Sequence, residues 1–319
     1  MENDTRKIEK KQDDFKFLEK FNDKKNKIED FSKFVKKFKS EIMNMRISEC
    51  ASLIGFLKSK TGEKRRLGGG NFCNSRFCPF CDWRKARKDG YTLLFLMNHI
   101  QKIEKKGLIF LTLTAPNVVK EKLDDEIKDF NKAFKRLSET KAFKLICKGY
   151  IRKLEVTYNP ERDDYHPHFH VVIAVNKNYF TKNYITQQKW LEMWQVAKRN
   201  PNITQVDIRK AKLDDMKGVY EMATYSAKAS DVLYSEEVFD VFYNALKGKQ
   251  LIVFNGIFKD ILKSYKAGDL KDFEELDETI YQKFEWFKYY DKQGYSLFRV
   301  DEVSKERLEK LLIDEIDIE

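Results

Sequence analysis

The chain has 319 residues, 42% of them hydrophobic with 25 Phe and 15 Tyr, enough length and apolar content for two or three domains with a real core. It contains no run of 18 apolar residues, and the start MENDTRKIEKKQDDF is charged from its second position, so neither a membrane-spanning helix nor a signal peptide is expected, and a cytoplasmic protein is. The formal charge of +11 suits a polyanionic partner, and its distribution says more than its total.

Between Lys58 and Lys88 ten Lys/Arg face two acids, a net charge of +8, whereas residues 270–319 carry eight Lys/Arg against fifteen acids, a net charge of −7. A basic stripe fits phosphate binding; an acidic tail stays off nucleic acid or faces a protein. The five cysteines, Cys50, Cys73, Cys78, Cys81 and Cys147, are an odd set in a chain without an export signal, so metal binding is a better reading than disulfides.

In chain order, residues 1–48 place Phe15, Leu18, Phe21, Ile28, Phe31, Phe34 and Phe38 at helical intervals among Lys and Glu, and they predict a solvated helical arm. Residues 49–90 turn to Gly, Arg and Cys. Cys73-x4-Cys78-Pro-Phe-Cys81 contains a knuckle turn able to bring two thiolates to a tetrahedral Zn²⁺, with Cys73 and Cys50 completing four sulfurs; buried structural cysteines are the alternative. Arg84, Lys85, Arg87 and Lys88 follow directly, and with Arg76 they would present cations to a DNA backbone. A helix is expected over 92–104, with His99 as a packing or surface residue. The strand LIFLTLTAP after Gly107 then sets Thr112 and Thr114 on one face.

A helix over 122–146 leads past Cys147, read as a small core residue, to a strand over 150–158 with Lys153, Glu155 and Thr157 on one face. Three of the four histidines fall in His166-Pro167-His168-Phe169-His170, which runs into Val171-Val172-Ile173. Strand alternation puts His168 and His170 on the same face, where two imidazoles can grip one metal ion. A hairpin through 159–165 would bring Glu155 to them as third ligand. His166 competes for that role, with Pro167 as a potential break in the alternation. Further on, a helix over 186–198 with Thr186 as N-cap, a strand over 204–209 and a helix over 214–228 are expected. On the last, Glu221, Tyr225 and Lys228 line one face; a plain surface helix with a packing Tyr is the alternative. Helical spacing resumes after Asp231. Neither a G-x-x-x-x-G-K-[ST] nor a G-x-G-x-x-G occurs, so nucleotide hydrolysis and a dinucleotide cofactor have no support.

The ordered segments Phe110-Leu-Thr-Leu-Thr-Ala-Pro116, His166-Pro-His-Phe-His-Val-Val-Ile173 and Tyr220-Glu-Met-Ala-Thr-Tyr-Ser-Ala-Lys228 resemble the motifs of rolling-circle plasmid replication initiators of the HUH endonuclease superfamily. Asn71-Phe-Cys-Asn-Ser-Arg-Phe-Cys-Pro-Phe-Cys-Asp-Trp-Arg-Lys85 looks like the Cys-rich segment of the branch with a single catalytic tyrosine. The likeness covers about residues 50–235. It implies that His168 and His170 hold a divalent ion, Mn²⁺ or Mg²⁺, that Tyr225 nicks one strand at the double-strand origin, that Glu221 activates water for termination, and that Lys228 assists. It also implies a 5′-phosphotyrosine and a free 3′-OH, and DNA, a host helicase and a host polymerase as partners, with no membrane. A relaxase or transposase of the same superfamily is the runner-up. From another class, the chain would be a non-catalytic zinc-dependent DNA-binding regulator.

The implied fold is α+β: a central antiparallel sheet of about five strands flanked by helices, with an N-terminal helical and zinc-knuckle region and a helical acidic C-terminal region. The expected division is a helical arm at 1–48, a Cys-rich Zn²⁺ and DNA-binding region at 49–90, an endonuclease domain at 91–235 and a C-terminal helical region at 236–319.

Overall fold

The computed structural model describes residues 19, 21–59, 65–211, 222, 227–267, 279–288, 293–302 and 316–317. Its elements are α1 (21–35), α2 (Glu41–Ser48), β1 (Leu53–Ser59), β2 (Arg65–Gly70), α3 (Pro79–Lys102), β3 (Gly107–Leu113), α4 (Leu123–Glu139), α5 (Lys141–Ile146), β4 (Cys147–Asn159), β5 (Asp164–Val175), α6 (Gln187–Lys198) and β6 (Val206–Lys210). They continue with α7 (Ala229–Val232), α8 (Glu236–Leu246), β7 (Ile252–Gly256), α9 (Ile257–Ala267), β8 (Thr279–Lys288), β9 (Gln293–Glu302) and β10 (Ile316–Asp317). The chain divides into two compact units, Met1–Lys88 with Glu274–Glu319, and Asp89–Phe273. Each holds a five-stranded antiparallel sheet.

In the first unit the order is β10-β2-β1-β8-β9. Two expectations change here. Residues 21–35 are not a solvated arm: Phe21, Ile28, Phe31 and Val35 are buried, and Phe21 stands 5.7 Å from Phe56, 5.8 Å from Phe80 and 5.1 Å from Trp83 between ring centroids. The apolar stripe at helical spacing is narrow, but its large rings cover a sheet face and the start of α3. The C-terminal region is not helical throughout either. Residues 279–288 and 293–302 form a hairpin that extends the sheet through β1, because TIYQKFEWFK is rich in β-branched and aromatic residues.

In the second unit the order is β6-β3-β5-β4-β7. β4 and β5 are its long central pair, in one unbroken register from Gly149↔Ala174 to Asn159↔Asp164. Pro167 does not disturb it. β3 pairs with β5 only as far as Phe169, so the proline sits beyond the end of that neighbour and removes no ladder bond on that side. The predicted helix over 122–146 is two helices, because the Thr140 hydroxyl accepts from the Phe143 amide and caps a new start. Thr186 caps α6 as expected, accepting from the Lys189 amide.

Both faces of this sheet are covered. On one, Phe130 and Phe134 of α4 meet Phe169 at 5.2 and 5.8 Å, and Trp194 of α6 meets Phe130 at 5.5 Å. On the other, Leu93, Leu96 and Ile100 of α3 and Phe258 of α9 pack with Ile151, Val172 and Phe110. At the edge, β7 approaches β4 so closely that a Cβ on Gly149 would lie 2.6 Å from the Asn255 carbonyl oxygen, so only glycine fits.

Phe169 joins α4 to the strand that carries the histidines. Phe169→Ala is therefore expected to cost about 3–5 kcal/mol of stability, measured as a lowered urea midpoint with an unchanged slope.

Candidate active site and metal centres

The β4–β5 register sets Glu155 directly opposite His168, with Lys153 opposite His170. Side chains alternate between faces, so Glu155, His168 and His170 share one face near the end of β3. Their ligand atoms converge: His168 Nε2 and His170 Nε2 lie 3.1 Å apart, and Glu155 Oε2 is 3.2 Å from His170 Nε2 and 3.7 Å from His168 Nε2. Oxygen and nitrogen ligands about 2.1 Å from an octahedral ion stand about 3 Å from one another at right angles, which is close to this spacing. Two imidazoles and one carboxylate on one side of an ion leave its other positions open.

Each imidazole is aimed from behind. His168 Nδ1 lies 3.2 Å from the His166 carbonyl oxygen and His170 Nδ1 lies 3.4 Å from Thr112 Oγ1, so protonated Nδ1 atoms leave both Nε2 lone pairs facing the cluster. Thr112 is held opposite His170 by strand pairing. Burial opposes ionisation of Glu155, but in the metal-free protein a proton on His170 Nε2, donated to the carboxylate, and the neighbouring charge of Lys153 outweigh it and hold its carboxyl below the ordinary range. Burial and neighbouring His170 lower the His168 imidazole to about 4, which keeps it neutral and able to ligate near pH 7.

His166 lies outside the convergence. Its Nδ1 is 2.7 Å from Asn117 Oδ1, and Asn117 Nδ2 donates at 2.8 Å to Asp164 Oδ1. Of the two candidates for third ligand, the structure brings Glu155 to the pair and turns His166 towards Asn117. Asn117, in the loop after β3, and Lys153, 1% exposed on the cluster's own face, carried no sequence signal beyond the polar row of Thr112 and Thr114 and the strand alternation.

Glu221 and Tyr225 lie outside the described residues. Met222, which separates them, is fully buried with Ile151, Val172 and Ala174, residues whose parity puts them on the same sheet face as Glu155, His168 and His170. Lys228 is exposed immediately before α7.

The first unit holds a second donor cluster. Cys50, Cys73, Cys78 and Cys81 are buried, with sulfur separations of 3.5 Å (Cys50–Cys81), 3.6 Å (Cys50–Cys78) and 3.7 Å (Cys73–Cys81). Sulfurs about 2.3 Å from a tetrahedral Zn²⁺ stand about 3.8 Å apart, so the four thiols fit that ion with little movement. The Cys73 amide points at Cys50 Sγ at 3.4 Å and the Asn74 amide at Cys81 Sγ at 3.3 Å, donors that suit thiolates. The hydrogen bond between Cys50 and Cys73 pulls the Cys73 thiol far down and pushes the Cys50 thiol far up, as expected of thiols too close to ionise together without a cation.

Sequence reading missed Lys25. Its buried ammonium donates to the Cys50 carbonyl at 2.8 Å, the Ser48 carbonyl at 3.1 Å and Ser52 Oγ at 3.1 Å, tying α1 to the backbone of the first cysteine. Of the five expected DNA-facing cations, Arg76, Lys85 and Lys88 are exposed and Arg87 is half-buried. Arg84 is engaged internally, stacked 4.3 Å over the Phe72 ring and bonded at 2.7 Å to Asn74 Oδ1, where it braces the cysteine loop.

Residues 64–295 match the family model described as replication protein. The chain is similar to a "Protein rep" of Staphylococcus aureus, 47% identical over 221 residues that make up 69% of this chain and 96% of the relative. A "Protein rep" of Bacillus amyloliquefaciens is 35% identical over 275 residues, 77% of this chain and 81% of the relative, and one of a Bacillus sp is 36% identical over 251 residues, 71% and 82%. No solved structure matches the chain.

Glu155→Ala or His168→Ala is expected to weaken Mn²⁺ binding by tenfold or more, whereas His166→Ala should change it by less than about threefold, as read by calorimetry. The pH dependence follows from His168. With a folded value near 4 and an unfolded value near 6.5, the unfolded chain takes up the proton first, so the metal-free protein should lose stability as pH falls from about 6.5 to 4, seen as a falling urea midpoint.

Proposed function

The chain belongs to the replication-protein family, and from that premise we propose that it is a rolling-circle plasmid replication initiator that nicks one DNA strand in the cytoplasm. The observation that carries this reading is the convergence of Glu155, His168 and His170 on one sheet face, with Met222, flanked in sequence by Glu221 and Tyr225, packed against the same face.

Glu155, His168 and His170 would hold Mn²⁺ or Mg²⁺, hard ions that accept imidazole and carboxylate donors. Such an ion, when bound, polarises the scissile phosphodiester and offsets charge on its oxygens. Tyr225 is the nucleophile. Its hydroxyl oxygen bonds to phosphorus as the bond from phosphorus to the 3′ oxygen breaks, the tyrosine proton is given up and the departing oxygen takes one. The products are a 5′-phosphotyrosine and a free 3′-OH that primes a host polymerase, with a host helicase opening the duplex. A tyrosine with an ordinary value near 10 is a weak nucleophile, and Lys228 helps by stabilising its anion. Glu221 serves the second half of the cycle, taking a proton from the water that releases the covalent DNA.

Cys50, Cys73, Cys78 and Cys81 would hold Zn²⁺ in a structural role, since all four positions are filled by protein. Arg76, Lys85, Arg87 and Lys88 supply phosphate contacts to origin DNA, while Arg84 acts by holding the cysteine loop.

Incubation with Mn²⁺ and a labelled origin hairpin should give a covalent adduct on a denaturing gel that Tyr225→Phe abolishes; an equal yield from the variant would remove Tyr225 as nucleophile. Glu221→Ala should cut at near parental rate and retain the adduct, and a loss of the first cut would make Glu221 a ligand or the primary base. Cys78→Ser with Cys81→Ser should reduce zinc content by elemental analysis, and undiminished zinc would rule out that centre.

A further inference from the structure

On the face of the second unit's sheet opposite Glu155 lies a cavity of about 450 Å³ between α4, β4 and β7. Arg152 and Leu154 line it, and strand alternation turns them away from Lys153 and Glu155. Four cations surround it: Lys128 and Lys132 from α4, Arg152 from β4, and Lys249 from the segment before β7. None of the roles assigned above uses them.

Their arrangement is built. The Arg152 guanidinium lies 4.4 Å over the Phe169 ring and 4.9 Å over the Phe134 ring, and its Nη2 donates at 2.8 Å to Asn131 Oδ1. This fixes the plane of the fork before any ligand arrives. The Arg152 Nε–H is buried without an acceptor, which leaves the guanidinium short of one hydrogen bond beneath the cavity. Asp124 offsets part of the charge at the rim, where it bonds Lys249 at 2.5 Å and Lys128 at 2.6 Å, and Asp125 adds a 3.2 Å contact to Lys128. Neither carboxylate is among the lining residues, and Lys132 and Arg152 have no ion pair with them. The floor is aliphatic, Leu154 and Val253, with the amides of Asn131 and Gln250 alongside. No aromatic ring is among the lining residues, so stacking on a base is not the recognition chemistry; several cations and amides with a planar fork suit phosphate oxygens.

We infer that this cavity is a second anion site of the protein, taking a phosphate group of either a free phosphorylated compound or a DNA strand.

Pyrophosphate binding is read without DNA cleavage, so failure of this site and failure of the nicking reading are separable. The full-length protein is titrated calorimetrically with inorganic pyrophosphate and with ADP, and by anisotropy with a fluorescent single-stranded oligonucleotide. The parent is compared with Lys132→Glu and with Lys132→Glu combined with Lys249→Glu. Lys132→Glu alone guards against a folding defect from loss of the Lys249–Asp124 bond, and Mn²⁺ binding checks that the sheet is intact. The double variant should bind pyrophosphate at least about tenfold more weakly, and the single about threefold, with Mn²⁺ binding unchanged. If DNA supplies the phosphate, oligonucleotide affinity falls with it, the salt slope shallows by about 1–2, and pyrophosphate competes. If a free compound does, ADP affinity falls and that of the oligonucleotide holds. A parent that binds none of the three, or variants that bind all three as the parent does, would overturn the inference.

Discussion

The register between β4 and β5 is the constraint on which the candidate catalytic centre depends. Glu155 meets His168 because the two long strands pair without slip from Gly149 to Asn159. A shift of one residue would turn Glu155 to the opposite face, away from His168 and His170, and leave the two imidazoles without their carboxylate. The apolar residues that fix the register, Ile151, Leu154, Val156, Phe169 and Val171, are therefore as much part of the site as its ligands. The same alternation turns Arg152 into the basic cavity on the far side, so one pairing decides the contents of both faces.

The cysteine centre solves a different electrostatic problem. Four thiolates around one Zn²⁺ would leave two negative charges in a buried place, which only nearby donors and cations make tolerable. The amides of Cys73 and Asn74 point at sulfur, and the Lys25 ammonium sits on the Cys50 carbonyl. Lys25 thus links the packing of α1 to this cluster. That link helps explain how an N-terminal helix of such polar composition is held down by only a few large rings.

Much of this was legible in the sequence because it rests on short periods. Alternation gave the shared face of His168 and His170, and the hairpin spacing gave Glu155 as a partner. The knuckle spacing of Cys78 and Cys81 pointed to the fourfold sulfur cluster. What was not legible depends on contacts far apart in the chain. The choice of Glu155 over His166 turns on Asn117, 49 residues from His166, taking its ring nitrogen. The hairpin of β8 and β9 pairs with β1, more than 200 residues earlier, and an acidic composition concealed strands whose partner lay at the other end of the sequence. Burial of 21–35 likewise follows from rings at Phe56 and Phe80 that no local pattern announces. Arg84 read as one more cation in a basic row; its ring partner Phe72 lies twelve residues upstream, before the turn that brings them together.

His168 and His170, with Glu155, are proposed to hold the divalent ion that serves strand cleavage. Pulsed electron paramagnetic resonance of the Mn²⁺-loaded protein tests it most directly, because imidazole nitrogens bound to the ion modulate the echo. Nitrogen modulation from two imidazoles is expected, reduced to one in His168→Ala and in His170→Ala and unchanged in His166→Ala. An echo without nitrogen modulation, or one that survives replacement of both His168 and His170, would contradict it.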